Sequence, residues 1–284
     1  MQLICKANAK INLTLDIVGV REDGYHILDM IMQSVSLADT VKISLDDTLL
    51  IKVESSCGTI SGENNIAYNA ARYFLKEANI NTGVNVYIEK NIPMSAGLGG
   101  GSADAAAVLL ALNRLLNSPL DKNTLEKIAL KLGADVPYFL YGGTVRVGGI
   151  GEKMNVLSPM PDCFIIIAKN ATKGSTKEMY QSIDSTEQKI YVDNESVIKA
   201  IKNGNLSAMC KDFKNPFSAV WDYSDLTEIM GSFGALSVSL SGSGPSVFGV
   251  FDNKAFAENC FSALKSKKIE AYLTVPTEKA IVFE

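Results

Sequence analysis

The sequence holds a single histidine, His26, and a single tryptophan, Trp221. With one imidazole in the chain, a Ser-His-Asp or Cys-His enzyme would have to be built on His26 itself. The five cysteines (Cys5, Cys57, Cys163, Cys210, Cys260) are widely spaced and form no Cys-x-x-Cys. That spacing excludes a zinc ribbon or finger, disfavours a disulfide framework, and points to a reducing cytoplasm. No apolar run approaches the roughly 20 residues needed to span a bilayer. Lys6, Lys10 and Asp16 interrupt the first segment, which therefore does not read as a secretory signal. No half of the chain is basic. Residues 1–150 carry 13 basic and 15 acidic side chains, residues 151–284 carry 14 and 16, and the net charge is −4. A nucleic-acid partner and a membrane partner are both disfavoured.

What is present is a globular composition, 47% hydrophobic and 20% charged over 284 residues, enough for one large core or two ordinary ones. Residues 11–17 alternate apolar and polar, predicting a strand with Lys10, Asn12 and Thr14 on its polar face. Further strands are expected over 27–37, 40–45, 49–54, 84–88, 163–168, 235–240, 246–252 and 270–275, with a short one between Gly143 and Gly148. Helices are expected over 64–78, 103–116, 120–132, much of 176–232, and 254–267. The Ala-rich helix after residue 103 is apolar nearly all round and so should be buried. Gly, Pro159 and Pro161 cluster near 150–162 and mark a boundary, giving domains 1–155 and 156–284. The order of elements in the second resembles a split β-α-β sandwich.

The strongest chemical signal is the strand that runs into Pro93-Met94-Ser95-Ala96-Gly97-Leu98-Gly99-Gly100-Gly101-Ser102 and then a helix. Glycines let the backbone turn tightly and aim several N–H groups at one point, and the helix adds its N-terminal partial charge. Together they make a phosphate cradle. A Walker loop is excluded because no Lys ends the run, and a dinucleotide fingerprint because residue 102 is Ser. Asp-Phe-Gly and His-Arg-Asp are absent, so this is not a protein-kinase loop.

Taken alone, Lys10 reads as a solvated lysine on an edge strand, and Asp135, just before Pro137, as a helix N-cap. A phosphate cradle changes their meaning. Phosphoryl transfer needs a cation near the transferred group and a carboxylate near the attacking hydroxyl. Tyr25-His26, in a Gly-flanked loop, could stack on a base or pack on the sheet. Ser241-Gly242-Ser243-Gly244-Pro245-Ser246 could connect two strands, or bring backbone close to a ligand or to the first glycine loop.

Three segments resemble, in order and spacing, the three motifs of the GHMP small-molecule kinases: Lys10-Ile11-Asn12-Leu13, Pro93–Ala107, and Ser239–Phe248. The resemblance covers essentially the whole chain. It implies an α+β fold, with an N-terminal ribosomal-S5-like domain containing a left-handed β-α-β element and a ferredoxin-like C-terminal domain. It also implies ATP with Mg²⁺, and a monomer or homodimer. Gly19–His26 and Gly133–Phe139 look most like the members that phosphorylate the 2-hydroxyl of a cytidyl-diphospho-methylerythritol in the non-mevalonate isoprenoid pathway. A kinase of another alcohol, such as homoserine or mevalonate, is the alternative. On the resemblance, Asp135 takes the proton and Lys10 orients it. ATP phosphates lie on Pro93–Ala103, namely Pro93, Met94, Ser95, Ala96, Gly97, Leu98, Gly99, Gly100, Gly101, Ser102 and Ala103, with Asn65 and Lys90 near adenine. Asn12 and Thr176 contact substrate, Tyr25 and Tyr180 sandwich the cytosine, and His26 reads its edge. Ala103 stands where relatives often carry a second Ser.

Overall fold

The computed structural model describes residues 2–58, 62–169, 175–188 and 190–284. Two long strands, β1 (Gln2–Val20) and β2 (His26–Asp46), form an antiparallel ribbon at the centre of the larger sheet. The expected strands 27–37 and 40–45 are one strand. The ribbon absorbs its irregularity as register shifts, one of them at Asn8/Ala9, opposite residues 36 and 37. Ser36 and Leu37 bond instead to Thr274 and Val275, so backbone from the second sheet closes the gap.

The sheet continues through β3 (Ile51–Ser55), β4 (Gly83–Glu89), β5 (Thr144–Gly149), β6 (Lys153–Val156) and β11 (Ile281–Phe283), with the order β11-β1-β2-β4-β3 and β5 joining β2 to β6. β3 and β4 are parallel and are linked by helix α1 (Ile66–Ala78). α2 (Gly100–Leu115) lies on the sheet, buried on nearly all sides as its Ala-rich sequence requires. It starts at Gly100 rather than at Ala103, because Ala103 N–H already donates to the Gly99 carbonyl at 2.9 Å. α3 (Lys122–Leu132) and the single turn α4 (Val136–Phe139) complete this layer.

The second sheet contains β7 (Phe164–Lys169), β8 (Ser237–Leu240), β9 (Val247–Phe251) and β10 (Glu270–Thr274), ordered β10-β7-β9-β8 and antiparallel throughout. Numbered along the chain, that order is 4-1-3-2, the arrangement of a ferredoxin-like β-α-β-β-α-β unit. α5 (Thr176–Asp184), α6 (Asn194–Lys202), α7 (Leu206–Lys211) and α8 (Ser224–Ser232) fill the first crossover, and α9 (Lys254–Ser266) the second. Residue 189, within the expected helical stretch, lies outside the described residues. β6 and β11 were not expected from the sequence, and β11 pairs with β1 in the first sheet although it follows the second sheet in the chain.

Candidate active site

Lys10 is not on a solvated edge. β2 occupies one side of β1, and several chain segments dock in turn along the other. β11 pairs with Cys5–Ala7, the Leu98 carbonyl accepts from Lys10 N–H at 2.9 Å, Ser241 Oγ accepts from Asn12 N–H at 3.4 Å, and the Lys214 carbonyl accepts from Leu15 N–H at 3.0 Å. Lys10 is 3% exposed. A buried ammonium needs partners. Its Nζ donates to Asn12 Oδ1 at 2.7 Å and lies 3.7 Å from Asp135 Oδ2. The period-two spacing that puts residues 10 and 12 on one face makes the first contact.

Asp135 occupies the N-cap position of α4, yet its carboxylate makes no capping bond. It is about one-third exposed at 35% and faces Lys10. A buried network fixes the turn that carries it. Ser34 Oγ lies 2.7 Å from Tyr138 Oη, which donates to the Gly143 carbonyl at 2.8 Å, while Gly143 N–H donates to Ser34 Oγ at 3.2 Å. Burial pushes the Tyr138 phenol far above its ordinary range, so it remains a donor.

The glycine loop packs against this pair. A Cβ on Gly99 would lie 2.6 Å from the Phe139 ring and 3.1 Å from Lys10 Cγ, so only glycine lets the loop approach. A Cβ on Gly97 would lie 2.4 Å from the Ser241 carbonyl. That contact marks where the Ser241–Ser246 loop closes on the first. Ser241 Oγ donates to the Gly97 carbonyl at 3.0 Å, and Ser246 N–H to the Ala96 carbonyl at 3.3 Å. The N-cap of α2 is Gly99, which has no side-chain oxygen to offer. The first N–H groups of α2 therefore stay free for an anion. Ala96, Leu98 and Ala103 are buried anchors, whereas Met94, Ser95 and Gly101 are exposed.

The other expected site residues are placed as follows. Asn65 is buried and caps α1, accepting from Ala67 N–H at 2.9 Å. Lys90 Nζ is held between Asp39 and Asp104, 2.7 Å from Asp104 Oδ2, so its ammonium does not face an open adenine pocket. The His26 ring stacks on Tyr180 at 4.5 Å and 25°, and its Nε2 lies 2.8 Å from Asp184 Oδ1. Tyr180 in turn meets Phe217 edge-on at 5.0 Å. Tyr25 is 65% exposed and has no ring partner among the described residues, so His26 rather than Tyr25 lies against Tyr180. Thr176 opens α5 on the surface. Asn12, fully buried, offers Oδ1 to Lys10 and its amide to Met30 Sδ.

Asn215 has no counterpart in the sequence expectations. It is buried, donates from Nδ2 to the Leu240 and Gly242 carbonyls at 2.9 and 2.8 Å, and so fixes the second glycine loop. Each of the four arginines has a partner away from Lys10 and Asp135: Arg21 has Asp23, Arg72 has Asn69, Arg114 lies over the Phe283 ring, and Arg146 has Asp29 and Glu195. A pocket of about 760 Å³ along Ser218–Glu228 shares none of these catalytic candidates. Among the described residues no helix is long and apolar enough to cross a membrane.

A lysine–carboxylate pair beside an uncapped helix N-terminus is the arrangement that phosphoryl transfer to a small alcohol would call for. Residues 65–143 match the family described as GHMP kinases N terminal domain, and residues 222–270 that described as GHMP kinases C terminal. A 4-diphosphocytidyl-2-C-methyl-D-erythritol kinase of Clostridium tetani is 43% identical over 274 residues, covering 95% of this chain and 98% of its own. A solved 4-(cytidine 5'-diphospho)-2C-methyl-D-erythritol kinase superposes with a TM-score of 0.80 at 31% identity, over 97% of this chain and 99% of its own. A homoserine kinase from Cytophaga hutchinsonii superposes at 0.78 with 19% identity, over 100% and 97%, which speaks to the fold alone. The chain belongs, within the GHMP kinases, to the family of 4-diphosphocytidyl-2-C-methyl-D-erythritol kinases.

Proposed function

We propose that this chain transfers the γ-phosphate of ATP to the 2-hydroxyl of 4-diphosphocytidyl-2-C-methyl-D-erythritol, giving the 2-phosphate and ADP in the non-mevalonate isoprenoid pathway. The observation that carries this reading is the 3.7 Å Lys10–Asp135 pair, with the phosphate loop bonded to the backbone of Lys10 itself. The triphosphate would lie on the first N–H groups of α2. Among the described residues no cluster of three or more His, Cys, Asp or Glu side chains could hold a metal ion, so a Mg²⁺ brought by ATP would be held chiefly by phosphate oxygens and water. The acceptor hydroxyl would sit at Asp135. A carboxylic acid is a far stronger acid than an alcohol, so the proton moves late, as the loose transition state develops. Lys10 holds the carboxylate in place and offsets charge on the reacting oxygens. Positioning and electrostatics supply most of the rate.

Tyr25, His26 and Tyr180 would take the cytosine. In the structure the His26 ring covers Tyr180, so the base would have to displace it. Homoserine and mevalonate each carry a carboxylate, which calls for a free arginine. The partners of the four arginines lie away from Lys10 and Asp135, which weighs against them. The enzyme would work in the cytoplasm as a monomer or homodimer, with domains 1–155 and 156–284 facing each other across the site.

The test is phosphate transfer by purified protein with Mg-ATP, read by ³¹P NMR, with homoserine and mevalonate run in parallel. A new phosphomonoester signal with the cytidyl substrate alone is the expected result. Transfer to another alcohol instead would discard the substrate and keep the family.

A further inference from the structure

Beneath the phosphate loop lies a cluster that the reaction above does not use. Lys90 follows β4, and its Nζ reaches Asp39 on β2 and Asp104, the fifth residue of α2. Asp39 Oδ1 also accepts from Asn91 and Ile92 N–H at 2.6 and 2.8 Å. The leading end of the loop, residues 91–92, and its trailing end, residue 104, are thus tied to one point on β2. The ammonium sits close under the loop: a Cβ on Gly100 would lie 3.4 Å from Lys90 Nζ. Both carboxylates are almost fully buried.

One ammonium faces two buried carboxylates, which leaves a net negative charge directly below a site for a polyanion. That charge is costly in a low dielectric. Asp39, with two backbone donors and the ammonium, is the better-satisfied anion. Asp104 Oδ1 is buried and has no hydrogen-bond partner among the described residues. Burial, and then the charge of Asp39, push the Asp104 carboxyl well above the usual carboxylate range, against the pull of Lys90. The neighbouring group on β1 is the Cys5 thiol, itself pushed up to about 12, chiefly by burial, and so neutral. Lys90 and Asp39 are therefore the charges that act on Asp104.

We propose that Lys90, Asp39 and Asp104 form a positioning clamp that sets the spacing of the two ends of the phosphate loop, and that it binds a triphosphate best with one proton on Asp104. The proposal rests on the ATP site assigned above. The anionic ligand disfavours a second negative charge beneath it, so binding and protonation of Asp104 support each other. Affinity for ATP then falls as pH rises and Asp104 loses its proton.

The test compares Mg-ATP binding and turnover in the wild type, Asp104→Asn, and Lys90→Met/Asp104→Leu. Asp104→Asn holds a neutral group of the same shape at every pH. The wild-type KM for ATP, divided by that of Asp104→Asn, is expected to rise about three- to tenfold between about pH 6 and pH 9. The titration of ATP itself cancels in this ratio. A flat ratio overturns the proton coupling. The double variant removes both partners of the tie to the trailing end of the loop and leaves Asp39 with its Asn91 and Ile92 N–H donors but no ammonium, which costs stability. It is expected to raise the KM for ATP about tenfold or more while the KM for the alcohol stays near wild type. An unchanged KM for ATP in a folded double variant overturns the clamp, and if that variant does not fold, the pH ratio decides. Failure of the wild type to bind Mg-ATP would instead strike the ATP site, a result distinguishable from either.

Discussion

Lys10 and Asp135 illustrate how little a residue type says by itself. A lysine in an alternating strand is ordinarily solvated, and an aspartate before proline ordinarily caps a helix. Here the Asp135 carboxylate leaves the cap unmade and faces Lys10. The sequence signal that separated these meanings was the glycine loop, which demands a cation and a carboxylate nearby. No such signal exists for Asp39 or Asn215. Their partners lie far away in the chain, as with Lys90 and Asp39, 51 residues apart. In retrospect a lone carboxylate inside the otherwise apolar α2 was a clue to Asp104. If Asp135 takes the proton, Asp135→Asn keeps the shape but replaces a basic carboxylate by an amide that cannot take a proton. The expected result is a fall in kcat of about 10²–10⁴-fold with the KM for ATP nearly unchanged. Steady-state kinetics at saturating ATP would measure it, and turnover near the wild-type rate would remove Asp135 from the role.

Elements were legible where their period was long and clean. β4, α1, α2, α3 and α9 fall within a few residues of expectation because apolar spacing and capping residues agree. β2 was split in two by the sequence because Ala38-Asp39 breaks the alternation. The structure keeps Ala38 and Asp39 in the ladder opposite Asn8 and Ala7, and contacts from Thr274 bridge the adjacent irregularity at Ser36 and Leu37, which no local pattern carries. The loop from Ser241 to Ser246 was read as a strand connection or a close backbone approach, and it is both. Its placement depends on Asn215, whose amide meets two buried carbonyls. Asn215→Ala leaves both without that donor. Each unsatisfied group costs about 1–3 kcal/mol, so urea unfolding should show a loss of roughly 2–6 kcal/mol. Because this loop bears on Gly97 and Lys10, kcat/KM should fall with it. Unchanged stability and kinetics would show that the loop holds itself in place.

At the scale of the whole molecule, the order 4-1-3-2 of the second sheet and the return of β11 to the first were beyond periodicity. A three-residue strand is too short to show a pattern, and strand order is set by long-range packing. What joins the two sheets is one contiguous apolar cluster that includes Ile43 and Val86 of the first and Ile166 and Phe251 of the second, and a polar seam next to the site. In that seam Thr14 Oγ donates to Asn194 Oδ1 at 2.5 Å, Asn194 Nδ2 donates to the Asp29 carbonyl at 3.0 Å, and Arg146 bridges Asp29 on β2 to Glu195 on α6. The Arg146 guanidinium grips Asp29 with two bonds of 2.8 Å and holds its carboxyl below the usual carboxylate range. A carboxylate depressed in this way adds stability that is fully present above its unfolded value of about 3.9 and is lost as pH falls through the lower folded value. Both groups are partly exposed, so the contribution is modest, about 1 kcal/mol at neutral pH. Arg146→Met should therefore lower the thermal midpoint at pH 7. The gap to wild type should shrink as pH drops below about 4, because wild type then loses the same interaction by protonation. Thermal scans of both proteins across that range would measure the gap, and a difference as large at about pH 3 as at pH 7 would mean that Arg146 acts through packing of its stem rather than through Asp29.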